Sequence, residues 1–278
     1  MSQVQVSVVI VNYNGGTVIL DCLASIFQHL DSVKTDVIVV DNASQDGSPD
    51  GIERKFPQVQ LLRQSENLGF GAANNMGVKQ ALGRYLFLLN SDTLIQQNIM
   101  PVLLNKLESA VDIGIVGPQL LNPDGSFQLS TAYEIGLWGE WRTLQVVRKY
   151  RQPANRPALA RQYDTDQSVD IVVGAAMLMR RSHFRQIGGF DETFFMYFEE
   201  SDLCQRFRDA GYRVLYTPDV SLIHIGGYSV AQVAGKMAAE YRHSQRYYYA
   251  KHRPAWEQWV LHCYLALKQW RQARRDRR

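Results

Sequence analysis

The chain has 278 residues, 46% of them hydrophobic and 21% charged, with a formal net charge of +3. That length suits one large domain able to bury its own core, and that composition excludes a wholly disordered, collagenous or coiled-coil chain. The three cysteines, Cys22, Cys204 and Cys263, are odd in number and lack metal-ligand spacing, so they argue for a reducing compartment over a disulfide framework.

The first residues lack a basic segment, and the apolar run 8–11 is too short for the core of an export signal. The longest apolar stretches, 171–179 and the one around Val260, fall short of the roughly 20 residues that a bilayer span needs. The expectation is a cytoplasmic chain, at most peripheral on the inner face of the membrane.

In chain order, residues 6–11 form a continuous β-branched run that reads as a buried strand, broken by Asn12-Tyr13-Asn14-Gly15-Gly16. Ile19, Leu23, Ile26 and Leu30 then repeat with helical spacing. A second buried strand, 37–40, ends at Asp41-Asn42-Ala43-Ser44, with a short helix expected near Ile52. Leu61-Leu62 makes a third strand, 71–82 a small-residue helix, and 85–89 a fourth strand ending at Asn90-Ser91-Asp92. A helix over 98–110 and a strand at 113–116 follow. Strands that are continuously rather than alternately hydrophobic are buried on both faces, which predicts an α/β fold with a parallel sheet flanked by helices.

Residues 136–168, rich in Trp, Arg and Pro, break this regularity and read as a long excursion of the kind that is usually functional or mobile. Beyond them the sequence predicts a strand at 171–179, a Gly188-Gly189 turn, a helix over 199–210, and strands at 214–216 and 220–225. The expected division is a body of residues 1–229 and a helical extension of residues 230–278. Residues 231–278 hold 11 Lys/Arg against 3 Asp/Glu, leaving 19 against 24 for the rest, so a mildly acidic body carries a basic tail. In that tail Trp256, Val260, Cys263, Leu267 and Trp270 line one helical face, ahead of Arg271, Arg274, Arg275, Arg277 and Arg278. Two readings stand: a helix in the interface of an anionic membrane, or a helix docked on the body with a solvated end. Nucleic acid is disfavoured because no recognition motif accompanies the charge.

In open α/β sheets ligands bind beyond the carboxyl ends of the strands, which selects Asn12–Asn14, Asp41–Ser44 and Asn90–Asp92. Each segment alone also suits a turn or a helix cap. There is no Walker loop, no G-x-G-x-x-G after the first strand and no G-x-S-x-G elbow, so P-loop, NAD-dependent and serine-hydrolase readings are poor.

Five segments taken in order resemble a known family. They are Val8–Asn14, Val40–Gly47, Asn67–Asn74 and Leu89–Asp92, then Gly188-Gly189-Phe190-Asp191-Glu192 running on to Phe198-Glu199-Glu200-Ser201-Asp202-Leu203. The set is similar to family 2 glycosyltransferases with the GT-A fold, and the last segment to the branch containing bacterial rhamnosyltransferases. The resemblance implies an inverting, metal-dependent transferase that uses a UDP- or dTDP-sugar donor in surface polysaccharide synthesis. Its acceptor would be a glycan or a lipid-linked glycan. Asp92 is the remaining acid of the family's D-x-D-like motif, whose first acid is here Asn90, and His224 matches a second ligand for Mn²⁺ or Mg²⁺. Asp41 matches the residue that accepts a hydrogen bond from the base, and Tyr13 packs on that base. Asn12, Asn67, Gly69, Asn74 and Asn90 lie around the donor. By motif register Glu200 is the base, with Asp202 a rival, since carboxylates that open a helix stay ionised; capping alone is the bland reading. The run 194–198 suits either an acceptor pocket or core, and Gly174-Ala175-Ala176 either close sugar approach or tight packing.

The competing expectation is an inactive GT-A-like domain that binds nucleotide sugar or glycan as a scaffold. A sugar-nucleotide pyrophosphorylase would need a basic loop after the first strand, and Asn12–Gly16 has none. A homodimer through the C-terminal helices stays open.

Overall fold

The computed structural model describes residues 4–226 and 234–275. The apolar runs become strands buried on both faces. The N-terminal half comprises β1 (Val6–Asn12), α1 (Val18–His29), β2 (Thr35–Asp41), α2 (Ser48–Lys55), β3 (Gln60–Arg63), α3 (Phe70–Gln80) and β4 (Tyr85–Asn90). Val8, Ile10, Val37, Val39 and Phe87 face one hydrophobic core together with α1 and α4 (Met100–Glu108). Their neighbours Val9, Ile38, Leu86 and Leu88 face a second core on the other side of the sheet.

The chain continues through β5 (Thr93–Leu94), β6 (Ile113–Leu121), β7 (Phe127–Gln128), β8 (Thr131–Ala132), α5 (Leu137–Tyr150) and α6 (Arg156–Ala160). After these come β9 (Gln167–Val169), β10 (Ile171–Val172), β11 (Ala176–Arg180), α7 (Arg181–Ile187), α8 (Glu199–Asp209) and β12 (Arg213–His224). The main sheet runs β3-β2-β1-β4-β11-β6-β12-β5. β1 to β4 are parallel, β11 is antiparallel to both its neighbours, and β12 is parallel to β6. The result is a mixed sheet in which the four strands of the N-terminal half form an uninterrupted parallel run. Two helices, α9 (Ala234–His252) and α10 (Ala255–Arg275), complete the described chain.

Three sequence expectations need correction. Residues 136–168 are largely helical; Trp138, Trp141 and Leu144 of α5 are exposed, so the helix shows no clear burial period in sequence. The strand expected over 171–179 is two strands: β10 pairs with β8, β11 joins the main sheet, and Val173–Ala175 turns between them. The segments at 214–216 and 220–225 are one strand, β12, with an irregularity between Thr217 and Ser221 that accommodates Pro218. α10 docks through Leu261 and Leu265, while Trp256, Cys263, Leu267 and Trp270 of the apolar face read from the sequence are exposed. The expected division at 229/230, Gly227 beside the His224 segment, and Arg277 and Arg278 lie outside the described residues.

The small residues of α3 let it lie close on the sheet. A Cβ added at Gly77 would stand 2.5 Å from Val9 Cγ1 and 3.1 Å from Val40 Cγ2. Gly77→Ala is therefore expected to destabilise the fold by about 1–3 kcal/mol through overpacking, read as a lower urea midpoint at unchanged slope.

Candidate active site

Parallel pairing brings the strand-end residues side by side. Asn12 lies opposite Asp41, and Val11 opposite Asn90. Asn12 Nδ2 donates to Asp41 Oδ1 at 2.8 Å and also lies within reach of Ser44 Oγ and Ser48 Oγ at 3.1 and 2.9 Å. Ser44 N donates to Asp41 Oδ2 at 3.1 Å, so the buried Asp41 carboxylate is held by one donor on each oxygen. Tyr13, half-buried, sits beside this pair, and left-handed Asn14 locks the loop by accepting from Gln45 N at 2.8 Å. A carboxylate fixed in this way keeps its other lone pairs for a ligand donor.

The Asn67–Asn74 segment shapes the neighbouring wall mainly through its backbone. Asn67 Oδ1 accepts from Gly69 N at 2.9 Å, and Asn42 Nδ2 donates to Gly69 O at 3.1 Å. Gly69 has φ +84°, and a Cβ there would stand 2.3 Å from Phe195 O, so only glycine fits both the backbone and the space. Asn74 is buried and donates to Phe70 O at 3.0 Å, bracing the first turn of α3.

Asp92 lies in the turn from β4 to β5, and β5 pairs with the end of β12, where His224 stands opposite Thr93. His224 Nε2 lies 3.4 Å from Asp92 Oδ1. Behind it, Gln128 Nε2 donates to His224 O at 3.0 Å and to Asn122 Oδ1 at 3.1 Å. The Gln128 Oε1 that faces His224 Nδ1 at 2.8 Å is then an acceptor, which puts the imidazole proton on Nδ1 and leaves Nε2 a lone pair toward Asp92. Two lone-pair donors this far apart fit adjacent ligands of one octahedral cation, which lie about 3 Å apart at Mg²⁺-like distances. Asn90 Oδ1, buried nearby in sequence, has no hydrogen-bond donor among the described residues. The described residues contain no group of three or more His, Cys, Asp or Glu suited to a metal, so a cation here would need oxygens from a ligand or water.

The acidic helix comes to the same place. Asn90 N donates to Ala175 O at 2.9 Å, and a Cβ added at Gly174 would stand 3.4 Å from Glu200 Cβ. The Gly174-Ala175 turn thus joins the end of β4 to Glu200. Tyr197 and Phe198 precede α8 with φ +68° and +69°, conformations that cost non-glycine residues energy and persist where the surroundings enforce them. Phe194 and Phe198 are buried against Tyr248, Tyr249, Leu261 and Leu265 of the C-terminal helices, and Ser244 Oγ donates to Met196 O at 2.9 Å. Phe194 and Phe198 are therefore core, while Phe195 is exposed.

Burial, with the neighbouring Glu200 carboxylate adding to it, holds the Glu199 carboxyl well above its ordinary value, and one of its oxygens has no partner among the described residues. Burial likewise raises Glu200, opposed by its own backbone N–H and that of Ser201. Glu200 is partly exposed and Glu199 is buried, so Glu200 is the carboxylate a substrate can reach.

Asp202 does not rival it, because its side chain has 0% exposure and both its oxygens are taken. Arg206 Nε reaches Oδ2 at 2.7 Å, while Lys251 Nζ and His252 Nε2 each reach Oδ1 at 2.7 Å. Burial alone would raise this carboxyl, but the His252 hydrogen bond, the Arg206 charge and Lys251 hold it below the ordinary carboxylate value. Lys251 also bridges to Asp191 Oδ2 at 2.6 Å. Sequence reading missed Gln128, Lys251 and His252, whose partners at His224, Asp202 and Asp191 lie 49 or more residues away, and no local pattern marks such pairs.

Two stability measurements check these electrostatics. Asp202→Asn leaves buried cations unpaired and is expected to cost about 3 kcal/mol in urea unfolding at neutral pH. Glu199 binds its proton more tightly folded than unfolded, so its stabilisation is complete below the ordinary value of 4.5 and fades as pH rises through the raised value. Glu199→Gln should therefore be more stable than the parent at neutral pH, and its stability should fall less across that window.

Comparison with known proteins bears on the family and the fold. A sequence model described as glycosyl transferase family 2 matches residues 7–188, and one described as the N-terminal domain of galactosyltransferase matches residues 156–231. The N-acetylglucosaminyl-diphospho-decaprenol L-rhamnosyltransferase of Mycobacterium tuberculosis is 29% identical over 257 residues, covering 84% of this chain and 81% of that protein. The rhamnosyltransferase WbbL of Escherichia coli is 45% identical over 60 residues, 22% of this chain and 23% of that one. Among solved structures, GalNAc-T7 with UDP, GalNAc and Mn²⁺ superposes with a TM-score of 0.60 at 16% identity, covering 80% of this chain and 44% of that one. The mannosyltransferase PcManGT of Pyrobaculum calidifontis, with GDP-Man and Mn²⁺, gives 0.56 at 17% identity, covering 96% and 81%. The helix-flanked mixed sheet is a GT-A fold, and the chain belongs to glycosyl transferase family 2, in its rhamnosyltransferase-like part.

Proposed function

We propose that this glycosyltransferase works with inversion and a divalent cation. It would move a sugar, rhamnose first among the choices, from a dTDP- or UDP-linked donor to a hydroxyl of a lipid-linked glycan. The observation that carries the reading is one juxtaposition: Asp41, Asp92 and Glu200 stand around the ends of β1, β2 and β4, joined through Asn12 and the Gly174-Ala175 turn. The rhamnosyl donor and lipid-linked acceptor come from the name of the mycobacterial relative, and the cation from the two solved neighbours that hold Mn²⁺.

Asp41 accepts the N3–H of thymine or uracil, which cytosine lacks, and Tyr13 packs against the base. Asn12 keeps that carboxylate in place through its amide. Glu200 takes the proton of the acceptor hydroxyl as its oxygen bonds to the anomeric carbon on the face opposite the diphosphate. The old bond breaks, its electron pair leaves with the diphosphate, and the configuration inverts. A cation held by Asp92 Oδ1 and His224 Nε2 would neutralise charge on the departing diphosphate. Asn90 supplies a neutral amide oxygen where the family motif has an acid, so Asp92 carries the carboxylate role. Burial favours the protonated form of Glu199, which would spare Glu200 a second negative neighbour.

Because burial raises the Glu200 carboxyl, kcat/KM should rise with pH through a value above 4.5 as the base ionises, and Glu200→Gln should abolish that limb. Donor binding is tested by calorimetric titration with UDP and dTDP, each with and without Mn²⁺. The reading predicts binding that Mn²⁺ tightens by at least about tenfold, with the tightening lost in Asp92→Ala. Failure of the folded protein to bind either nucleotide would overturn it. Nucleotide binding with no transfer or donor hydrolysis would favour an inactive scaffold instead.

A further inference from the structure

We propose that α5 and α10 together form a two-part surface that docks the protein on an anionic lipid bilayer. The inference deepens the proposed function and rests on it for the lipid-linked nature of the acceptor.

The chain has five tryptophans, and all five lie on these two helices with more than half of their surface exposed. Trp138 and Trp141 are 75% and 55% exposed on α5; Trp256, Trp259 and Trp270 are 56%, 68% and 51% exposed on α10. Tryptophan is usually among the most buried side chains on average, so its complete displacement to one exposed surface calls for a partner. Leu144, Tyr264 and Leu267 extend the same apolar exposure. On α10 this stripe lies opposite the seam of Leu261 and Leu265 that docks the helix, so the contact with the body leaves it free.

The two helices form one surface at their N-terminal ends. Leu137 N donates to Glu257 Oε2 at 3.1 Å, which brings Trp138 and Trp256 each within one residue of a shared hydrogen bond.

Charge on both helices is sorted in the same way. Each contains a single acidic residue, and each is turned inward: Glu140 accepts from Gln245 Nε2 at 3.0 Å, and Glu257 caps Leu137. The cations point outward, as Arg148 and Lys149 on α5 and Lys268, Arg271 and Arg274 on α10. The Arg274 guanidinium stacks 3.8 Å over Trp270, pairing a headgroup-seeking cation with an interfacial ring. Exposed indoles flanked by cations, with the acids withdrawn, match the boundary between acyl chains and anionic headgroups. Two copies of this chain face to face would bring like charges together, which favours lipid over self-association as the occupant. The indole-bearing α10 packs by its other face on the cluster that holds the loop before α8, so the docked surface and the base share one rigid support.

The test is sedimentation of the full chain with vesicles of phosphatidylcholine alone and of phosphatidylcholine mixed with phosphatidylglycerol. Binding to the anionic vesicles should exceed binding to the neutral ones by about tenfold or more and weaken with salt. Trp138→Ser with Trp141→Ser should weaken it about tenfold, and so should Trp259→Ser with Trp270→Ser. Wild-type vesicle binding by the α5 double variant would overturn the proposal, as would absence of binding to either vesicle. A dimer by light scattering that the α10 variant dissociates, without vesicle binding, would assign the face to a second copy and overturn it too. Titration of the same preparations with UDP and dTDP separates the two readings. Nucleotide binding without vesicle binding sinks the docking surface alone, and vesicle binding without nucleotide binding sinks the transferase reading alone.

Discussion

The Asp202 carboxylate, with no exposed surface, receives Arg206 from its own helix and Lys251 and His252 from α9. A buried charge is tolerated only when fully paired, so α8 and the C-terminal helix each need the other. Lys251 extends the link to Asp191 and Arg206 to the carbonyl of Ile187, tying the start of the loop that leads into α8 to α8 and α9. The basic extension is thus part of the support of the candidate site: its cations pair with the acids of α8 and of the loop before it.

What this pairing secures is the start of α8. Two successive left-handed aromatic residues, Tyr197 and Phe198, put Glu199 and Glu200 at the helix N-terminus, and neither conformation is cheap. Phe198 is held by Tyr241 and Tyr248 at ring separations of 5.0 and 5.8 Å, so hydrophobic contact supplies what the backbone turn costs. Glu200 then meets Gly174, where the lack of a side chain leaves room beside the strand ends. A buried partner below and a partly exposed acid above divide the work of the two glutamates.

The strand-end half of the candidate site was legible in sequence because it is local. Asn12, Asp41 and Asn90 each end an apolar run, and parallel pairing of those runs brings them together by register alone. The half around α8 was less legible. Glu200 and Asp202 look alike in sequence, and only the arrival of Lys251 and His252, about fifty residues later, removes Asp202 from reach. Gln128 fixes the tautomer of His224 across a separation of 96 residues, for which a single sequence holds no pattern. The helix α5 was misread as irregular because its tryptophans face solvent, which reverses the burial signal that periodicity reads. The same reversal on α10 explains why its strongest apolar stripe is not its docking seam.

The central claim is that Glu200, placed by this support, removes the acceptor proton. The most direct measurement compares wild type and Glu200→Gln in transfer from dTDP-rhamnose to an N-acetylglucosaminyl-diphospho-lipid acceptor, with dTDP affinity measured alongside. The account predicts a fall in kcat of about 10²- to 10⁴-fold at unchanged dTDP affinity. A Glu200→Gln enzyme that turns over at the wild-type rate would contradict it.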